Sequence, residues 1–427
     1  MFNSNNSKSI QERISLGNKL LVAADNSPDK QAGVQSFASG NLVAAITKFR
    51  TSLQTNRNDP EALIYLNNAV AVANGNILKI AVSVPIGGNL NVSKEILRGV
   101  AQAQYEVNHH GGVQGALAQV EIANDDNDPA IAKQIAAEFV KDASILAVVG
   151  HNSSDASIAA APVYQQGGLV MISPTSVSRN LSGIGRYIFR TTPSSRVIAD
   201  ALSRYAITSA RKTKIAICAD SQAQASQSFK QDFTYAMFEN GGKVTNTDCD
   251  FSAPNFNPGN IPSQVISEDA DALLLAPDVN KINQAIDVAR ANKGRLALLG
   301  SHTMYTIETL QQGKIDVNEM VLAVVWAPTA IPRSPYAVSA RKLWGGSGSW
   351  RTAMAYDATN AVLTGLKSGI NRVQLQKALS DSNFSVNGAT GVVQFLPSGD
   401  RNATAVLVKI QPGQNSGTGY DLVTFQP

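Results

Sequence analysis

Two stretches of this chain carry the residues best suited to hold a ligand. Val148-Val149-Gly150-His151-Asn152-Ser153-Ser154-Asp155 is an apolar run that ends in small amide and hydroxyl side chains, and Leu169-Val170-Met171-Ile172-Ser173-Pro174-Thr175-Ser176 repeats the arrangement. The first cluster opens a helical pattern from Asp155 to Gln165. Backbone N–H groups and serine hydroxyls at a helix start suit a carboxylate or a phosphate. In an open parallel sheet, ligands sit at the carboxyl ends of the strands. The two hydroxyl-rich strand ends therefore read as one small anion-binding rim.

Reactive constellations are missing around that rim. The four histidines, His109, His110, His151 and His302, include no helical pair at metal-ligand spacing, and no cysteine lies near them in sequence. There is no G-x-S-x-G elbow and no P-loop. The first strand candidate leads into Pro85-Ile86-Gly87-Gly88-Asn89, which is not the G-x-G-x-x-G of a dinucleotide site. Asp125-Asp126 stands where such a site keeps its ribose-binding acid, but without the glycines, and Asp128 reads as a helix cap. A polar rim with no reactive group points to binding. No enzymatic activity, cofactor or metal is expected.

Composition narrows the partners. The chain has 427 residues, 44% of them hydrophobic, which suits two or three domains. Its net charge is +4 and its densest basic cluster is only Arg211-Lys212-Thr213-Lys214, so no nucleic-acid partner is expected. No apolar run reaches the ~18–20 residues of a membrane span. The stretch Met1 to Asn6 has no basic region followed by an apolar core, so it is not a signal peptide. Either the protein stays inside, or its export signal or anchor is missing from this segment. Cys218 and Cys249 end two neighbouring strand candidates, Lys214 to Cys218 and Lys243 to Cys249. One disulfide in an oxidising compartment and two buried thiols both fit.

The elements that must hold the rim follow from periodicity. Residues 1–76 lack strand patterns and place apolar residues at helical spacing: Leu42, Ala45, Ile46 and Phe49, then Ala62, Leu63, Leu66 and Ala69. Asn58-Asp59-Pro60-Glu61 is a helix start. The stretch from Ser39-Gly40-Asn41-Leu42 to Ala62 resembles one tetratricopeptide helix pair, and a plain helical hairpin fits as well. From Ile77 onward strands and helices alternate: strands at 77–84, 117–123, 144–149 and 169–172, with helices at 92–107 and from Asp128-Pro129 to Val140. The alternation restarts at Lys214, with helices at 226–240, 261–268 and 279–291 and strands at 272–275 and 296–299. The expected class is α/β, with two doubly wound parallel-sheet lobes after an N-terminal α-helical segment.

The order of several short segments carries a family resemblance. They are Lys79-Ile80-Ala81-Val82-Ser83-Val84-Pro85, Asn108 to Gly115, Asn124-Asp125-Asp126 with Asp128-Pro129, the two hydroxyl clusters, Ile188-Phe189-Arg190-Thr191-Thr192-Pro193, Ala355-Tyr356-Asp357-Ala358, and Gly391-Val392-Val393-Gln394-Phe395 with Gly399-Asp400-Arg401. From about Ile77 to the C-terminus the chain resembles the type 1 periplasmic binding proteins, in particular the leucine/isoleucine/valine-binding branch that serves amino-acid and amide ABC transporters. The resemblance implies one lobe at 77–193 and 327–393, a second at 194–326 and 394–427, and a three-strand hinge crossed near Pro193-Ser194, Val325-Trp326 and Gln394. It implies a small amino acid, amide or related carboxylate captured in an interlobe cleft, an ABC permease as partner, and a place on the periplasmic or extracellular side of the membrane. The alternative is the ligand-sensing ectodomain of a membrane-anchored signalling receptor, since the helical N-terminal segment is unusual for a free transport protein.

The resemblance also assigns residues. Ser154, with Ser153 beside it, takes the ligand carboxylate, and the Thr175 carbonyl takes the amino group. Val177 stands where a threonine is usual and offers only its N–H, leaving Ser176 to supply a hydroxyl. Asn89 and Leu90 line the first-lobe wall. In the second lobe Gln224 replaces an aromatic, His302 an acid and Asp278 a tyrosine. Asp278 is either the counter-charge of the ligand ammonium or merely the cap of the helix from Val279; in the second case His302 favours a ligand with another anionic or carbonyl group. Trp326, Trp344, Tyr356 and Asp357 read as structural.

Overall fold

The computed structural model describes residues 9–331, 334–346 and 348–426. They form two compact units. The first takes in the described residues up to Ser176, then Gly183–Thr192 and Ile331–Asn402. The second takes in Val177–Ser182, Pro193–Ala330 and the described residues from Ala403 on.

The first unit is built on a six-stranded sheet. Its strands are β1 (Ile14–Ser15), β2 (Ile77–Val84), β3 (Leu117–Asn124), β4 (Ile145–Val149), β5 (Val170–Ser173) and β6 (Ile188–Arg190), in the spatial order β1-β3-β2-β4-β5-β6. All neighbours from β3 to β6 pair in parallel, and β1 joins the edge antiparallel. Strands covered on both faces need continuous apolar sequence, and all residues of β4 and β5 are buried. The intervening helices start where the sequence supplies a cap: Asn89 for Leu90–His109, Asp128 for Pro129–Lys141 and Ser153 for Ser154–Gly167. Gly99 lets the helix Trp350–Gly365 approach Leu90–His109, because a Cβ there would lie 2.2 Å from the Thr352 carbonyl oxygen.

The strand β1 corrects the expectation that residues 1–76 hold no strand. Two residues are too few to leave a periodicity. The rest of this segment is helical, at Pro28–Ala38, Leu42–Thr55 and Pro60–Asn74. Its centre is a fully buried ion cluster, with Lys30 Nζ 2.7 Å from Asp59 Oδ2 and 2.8 Å from Glu61 Oε2. The other Glu61 oxygen accepts the Leu21 and Val22 N–H groups and so pins the extended arm before the helices.

Together the segment and its neighbours close the outer edge of β3. Asn108 accepts the Ala118 N–H at 2.7 Å and donates to its carbonyl at 3.0 Å. Asn68 does the same to Val120, at 2.8 and 2.7 Å. Ser15 and Ile14 then pair with Ile122 and Ala123. Two carboxamides and a two-residue strand thus satisfy backbone groups that an open edge would leave unpaired.

The second unit carries a seven-stranded sheet. Its first strands are β7 (Lys214–Ala219), β8 (Lys243–Val244), β9 (Ala272–Ala276), β10 (Ala297–Gly300) and β11 (Val321–Val324). The chain then returns to the first unit for three helices and the hairpin β12 (Val386–Gly388) and β13 (Gly391–Val393), before β14 (Val406–Pro412) and β15 (Tyr420–Thr424) complete the second sheet. The order is β15-β14-β11-β10-β9-β7-β8, parallel except for β14 and β15. Cys218 and Cys249 are disulfide-bonded inside its buried cluster.

The strand expected at Lys243 to Cys249 ends at Val244. Thr245 and Thr247 turn their hydroxyls to one another, and Thr247 donates to Glu268, so the polar stretch leaves the ladder. Pairing with β7 resumes only at Cys249 and Phe251, on either side of Ala219. Similarly, the expected helix from Val279 begins as a 3-10 turn, Val279–Lys281, and becomes α-helical at Ile282–Asn292.

The division into units departs from the expected boundaries. Residues 394–402 group with the first unit, where Asp400 pairs with Arg190 at 2.6 Å and Arg401 with Asp357 at 3.0 Å. Val177–Ser182 groups with the second, where Ser178 meets Ser228 at 2.9 Å and the Val177 carbonyl accepts the Ser195 N–H at 2.8 Å.

Candidate functional site

In the first unit the carboxyl ends of β2 to β5 bring together most of the residues singled out there. Ser153 Oγ accepts the Ala156 N–H at 3.1 Å and caps the helix that begins at Ser154. Ser154 is buried at the positive end of that helix. Thr175 Oγ1 donates to the Asn152 carbonyl at 2.8 Å. Ser176 Oγ meets Ser157 Oγ at 2.8 Å and reaches the His151 and Asn152 carbonyls, while its own carbonyl accepts from Arg190 and Thr192. The Thr175 and Ser176 hydroxyls therefore hold the loop after β4 in place. Asn89 caps the helix starting at Leu90 by accepting the Val92 N–H at 3.1 Å. Val177 is fully buried and groups with the second unit.

Beneath the rim lies a network that sequence reasoning missed. His151 is fully buried, with Nδ1 2.6 Å from Asp125 Oδ2 and Nε2 3.1 Å from the Tyr164 hydroxyl. Ser83 donates to the same Asp125 oxygen at 2.8 Å, and the Asn127 N–H to the other at 2.9 Å. Burial, with the Asp125 charge second, holds the Tyr164 phenol well above its ordinary value. The Asp125 carboxylate only accepts, so Nδ1–H donates to it, and a neutral ring then accepts the Tyr164 phenol proton at Nε2. The serine here serves the carboxylate and not the imidazole, so the set is no hydrolytic triad. Gly150 lets β4 end this close to β2: its φ is +145° and a Cβ would lie 2.8 Å from the Ser83 carbonyl oxygen. The signal in sequence was an acid one residue past β3 and a histidine two residues past β4, flanking Ser83 on the strand between them.

In the second unit the singled-out residues also follow strand ends. Gln224 opens the helix Gln224–Glu239 after β7, and its Oε1 accepts from Asn180 at 2.9 Å. Asp278 follows β9 and accepts the Asn280 N–H at 3.0 Å, capping the 3-10 turn. Burial pushes the Asp278 carboxyl up, and the neighbouring Asp220 charge adds to the rise. His302 follows β10 and is buried. Asp220, which sequence reasoning passed over, is buried after β7 and accepts the Gln222 N–H at 2.9 Å and the Ser252 hydroxyl at 2.7 Å. Ser226 ties the ends of β7 and β9 by accepting the Asp220 N–H at 2.7 Å and donating to the Ala276 carbonyl at 2.6 Å. Among the described residues no group of three His, Cys, Asp or Glu could hold a metal, and no helix is long and apolar enough to cross a membrane.

Comparison with known proteins gives consistent matches. A family model described as periplasmic binding protein matches residues 77–415. An amino acid binding protein of Pseudomonas aeruginosa is 30% identical over 139 residues, 31% of this chain and 36% of that protein. The Leu/Ile/Val-binding protein of Escherichia coli K12 is 29% identical over 163 residues, 38% of this chain and 43% of that protein. The alignments thus span less than half the length of these relatives. A solved leucine binding protein from Thermotoga maritima shares the fold, with a TM-score of 0.71 at 18% identity over 82% of this chain and 99% of that one.

Proposed function

Because the chain belongs to the type 1 periplasmic binding protein family, we propose that it captures a small amino acid, amide or related carboxylate outside the cytoplasmic membrane and delivers it to an ABC permease. The observation that carries the reading is the Ser153-Ser154 helix start at the carboxyl end of β4. A serine hydroxyl and the positive end of a helix are a standing site for a carboxylate. In this reading Ser154 and Ser153 hold the carboxylate, the Thr175 carbonyl and the Val177 N–H complete the polar contacts, and Asn89 and Leu90 form the apolar-side wall.

The second unit's residues are assigned on charge. The Asp278 carboxyl, half-buried and raised in part by the Asp220 charge, gains from a cation brought near it. It can cap its turn with one oxygen and face a ligand ammonium with the other. His302 supplies a hydrogen bond to the ligand, and Gln224, in place of an aromatic, makes the pocket more polar than one built for a branched aliphatic side chain. The names of the relatives, an amino acid binding protein and a Leu/Ile/Val-binding protein, support an amino-acid ligand class. The disulfide supports an oxidising compartment.

A thermal-shift panel of the common amino acids with their amide and keto-acid analogues tests this. A ligand that binds only the folded state raises Tm by mass action. At least one compound is expected to do so, and Ser154→Ala is expected to weaken it at least tenfold. If no compound in the panel shifts Tm, or if Ser154→Ala binds as well as the parent, the reading fails.

A further inference from the structure

We propose that Arg13 is a positioning residue for the ligand rim, and that the N-terminal segment preceding the family match works as its brace. The inference rests on reading the first-unit rim as the ligand site, and it deepens that reading.

The geometry starts at β1. Pairing of Ile14 with Ala123 and Ser15 with Ile122 places the residue before them, Arg13, beside the loop that follows β3. Arg13 Nη1 lies 2.6 Å from Asp126 Oδ2 and donates to the Asn124 carbonyl at 3.3 Å. The other Asp126 oxygen accepts the Gly87 N–H at 2.8 Å, in the loop that leads to Asn89. The contact is tight. A Cβ on Gly87 would lie 2.3 Å from Asp126 Oδ1, and one on Gly88 2.4 Å from the Asp126 carbonyl oxygen.

The same loop reaches the other side of the rim. Asn127 Oδ1 accepts from the Asn152 side chain at 3.1 Å, and the Asn152 carbonyl is the acceptor of the Thr175 hydroxyl. Asp125 holds His151, directly before Asn152. Three consecutive residues, Asp125, Asp126 and Asn127, therefore tie the loops after β2 and β4. Asp126 and Asn127 both sit at left-handed φ, +55° and +59°, a conformation uncommon outside glycine that Asp and Asn adopt most readily, and their side chains here also bond Gly87 and Asn152. Arg13 adds another such bond from outside the sheet. One nitrogen, Nη1, serves the carboxylate and the carbonyl at once, and the guanidinium plane fixes its two N–H directions, which a freely rotating ammonium does with less geometric control.

The test compares the parent with Arg13→Ala, Arg13→Lys, Asp126→Asn and the control Lys48→Ala, which breaks an exposed ion pair with Asp29 elsewhere in the segment. Residue-resolved hydrogen exchange is the first readout and needs no ligand. Arg13→Ala is expected to speed exchange at Gly87 and at Asn152 to Ser154 by about tenfold, with Arg13→Lys between it and the parent, and with the amides of β7 and β9 unchanged. Asp126→Asn keeps an acceptor for Gly87 but loses the ion pair that Arg13→Lys retains, so it should lie closer to Arg13→Ala than to Arg13→Lys. Affinity for L-leucine as probe is the second readout, with a several-fold loss expected in Arg13→Ala and none in Lys48→Ala. Unchanged exchange in the two loops overturns the proposal. So does a uniform rise across the first unit, or faster loop exchange with unaltered probe affinity. Should the parent not bind L-leucine, that failure belongs to the reading of the ligand, and the exchange pattern still decides the role of Arg13.

Discussion

The strand ends of the two units are finished in different chemistry. In the first, buried hydroxyls are bonded to backbone carbonyls, and the one buried acid at its centre, Asp125, is saturated by Ser83, His151 and Asn127. In the second, Asp220 and Asp278 follow strands that pair directly, and the charge of one raises the carboxyl of the other. The first arrangement is complete by itself and presents dipoles. The second carries surplus negative charge, which a ligand cation would relieve.

The sharpest way to break the comparison is to remove the central acids. Asp125→Ala strands two fully buried donors, on Ser83 and His151, and frees the Asn127 N–H, and is expected to cost about 3–5 kcal/mol in urea unfolding. Asp220→Ala loses hydrogen bonds too, but relieves Asp278, so its cost should be clearly smaller; equal costs would refute the contrast. Next in size is the disulfide, which closes a loop between positions 31 apart. Reducing it should cost about 2–4 kcal/mol and speed amide exchange in β7 and β9, with β2 and β4 unaffected. A loss of protection in β2 and β4 would show that the units do not differ in this way.

The smallest effect concerns pH and has opposite signs in the two units. Burial pushes Asp142 up, but hydrogen bonds from Lys79 and from the Ser144 hydroxyl and N–H outweigh it and bring the carboxyl down to about 2. Its contribution is present above the unfolded value of about 3.9 and is lost as pH falls toward 2. With 39% of its side chain exposed, the pair is screened and the slope is shallow. Asp278 is raised instead, so its contribution is present at low pH and is lost as pH rises above the unfolded value. Acid titration of stability should flatten below pH 4 in Asp142→Asn, while Asp278→Asn removes a loss above it. Parallel titrations of the two variants and the parent would contradict the assignment.

Sequence showed the parallel strands clearly, because buried strands such as β4 and β9 leave unbroken apolar runs, and it showed the helix after Asp128 through its cap and those expected from Val92 and Asp155 through their periodicity. It did not show β1, since two residues carry no period. It extended β8 to Cys249 because threonines favour strands, whereas here their hydroxyls found partners off the ladder. His151 was weighed only as a metal ligand, because its partners Asp125, Ser83 and Tyr164 come from other parts of the chain. The side trip of Val177–Ser182 to the second unit was likewise illegible, since it rests on single side-chain contacts such as Ser178 with Ser228. Residues 394–402 group with the first unit and not with the lobe expected for them for a related reason: what holds them is two buried ion pairs formed with residues far away in sequence.

The closed edge of β3 sets the natural limit of the first unit. A family match beginning at Ile77 invites the view that the preceding residues are an accessory that could be gained, lost or exchanged at will. Asn68 and Ser15 contradict that view, because their partners at Val120 and Ile122 belong to the matched core. Cutting at residue 77 would turn a finished strand into an adhesive one. The smallest transplantable module in this protein is thus larger than the family to which it belongs, and its ancestry and its modularity have different borders.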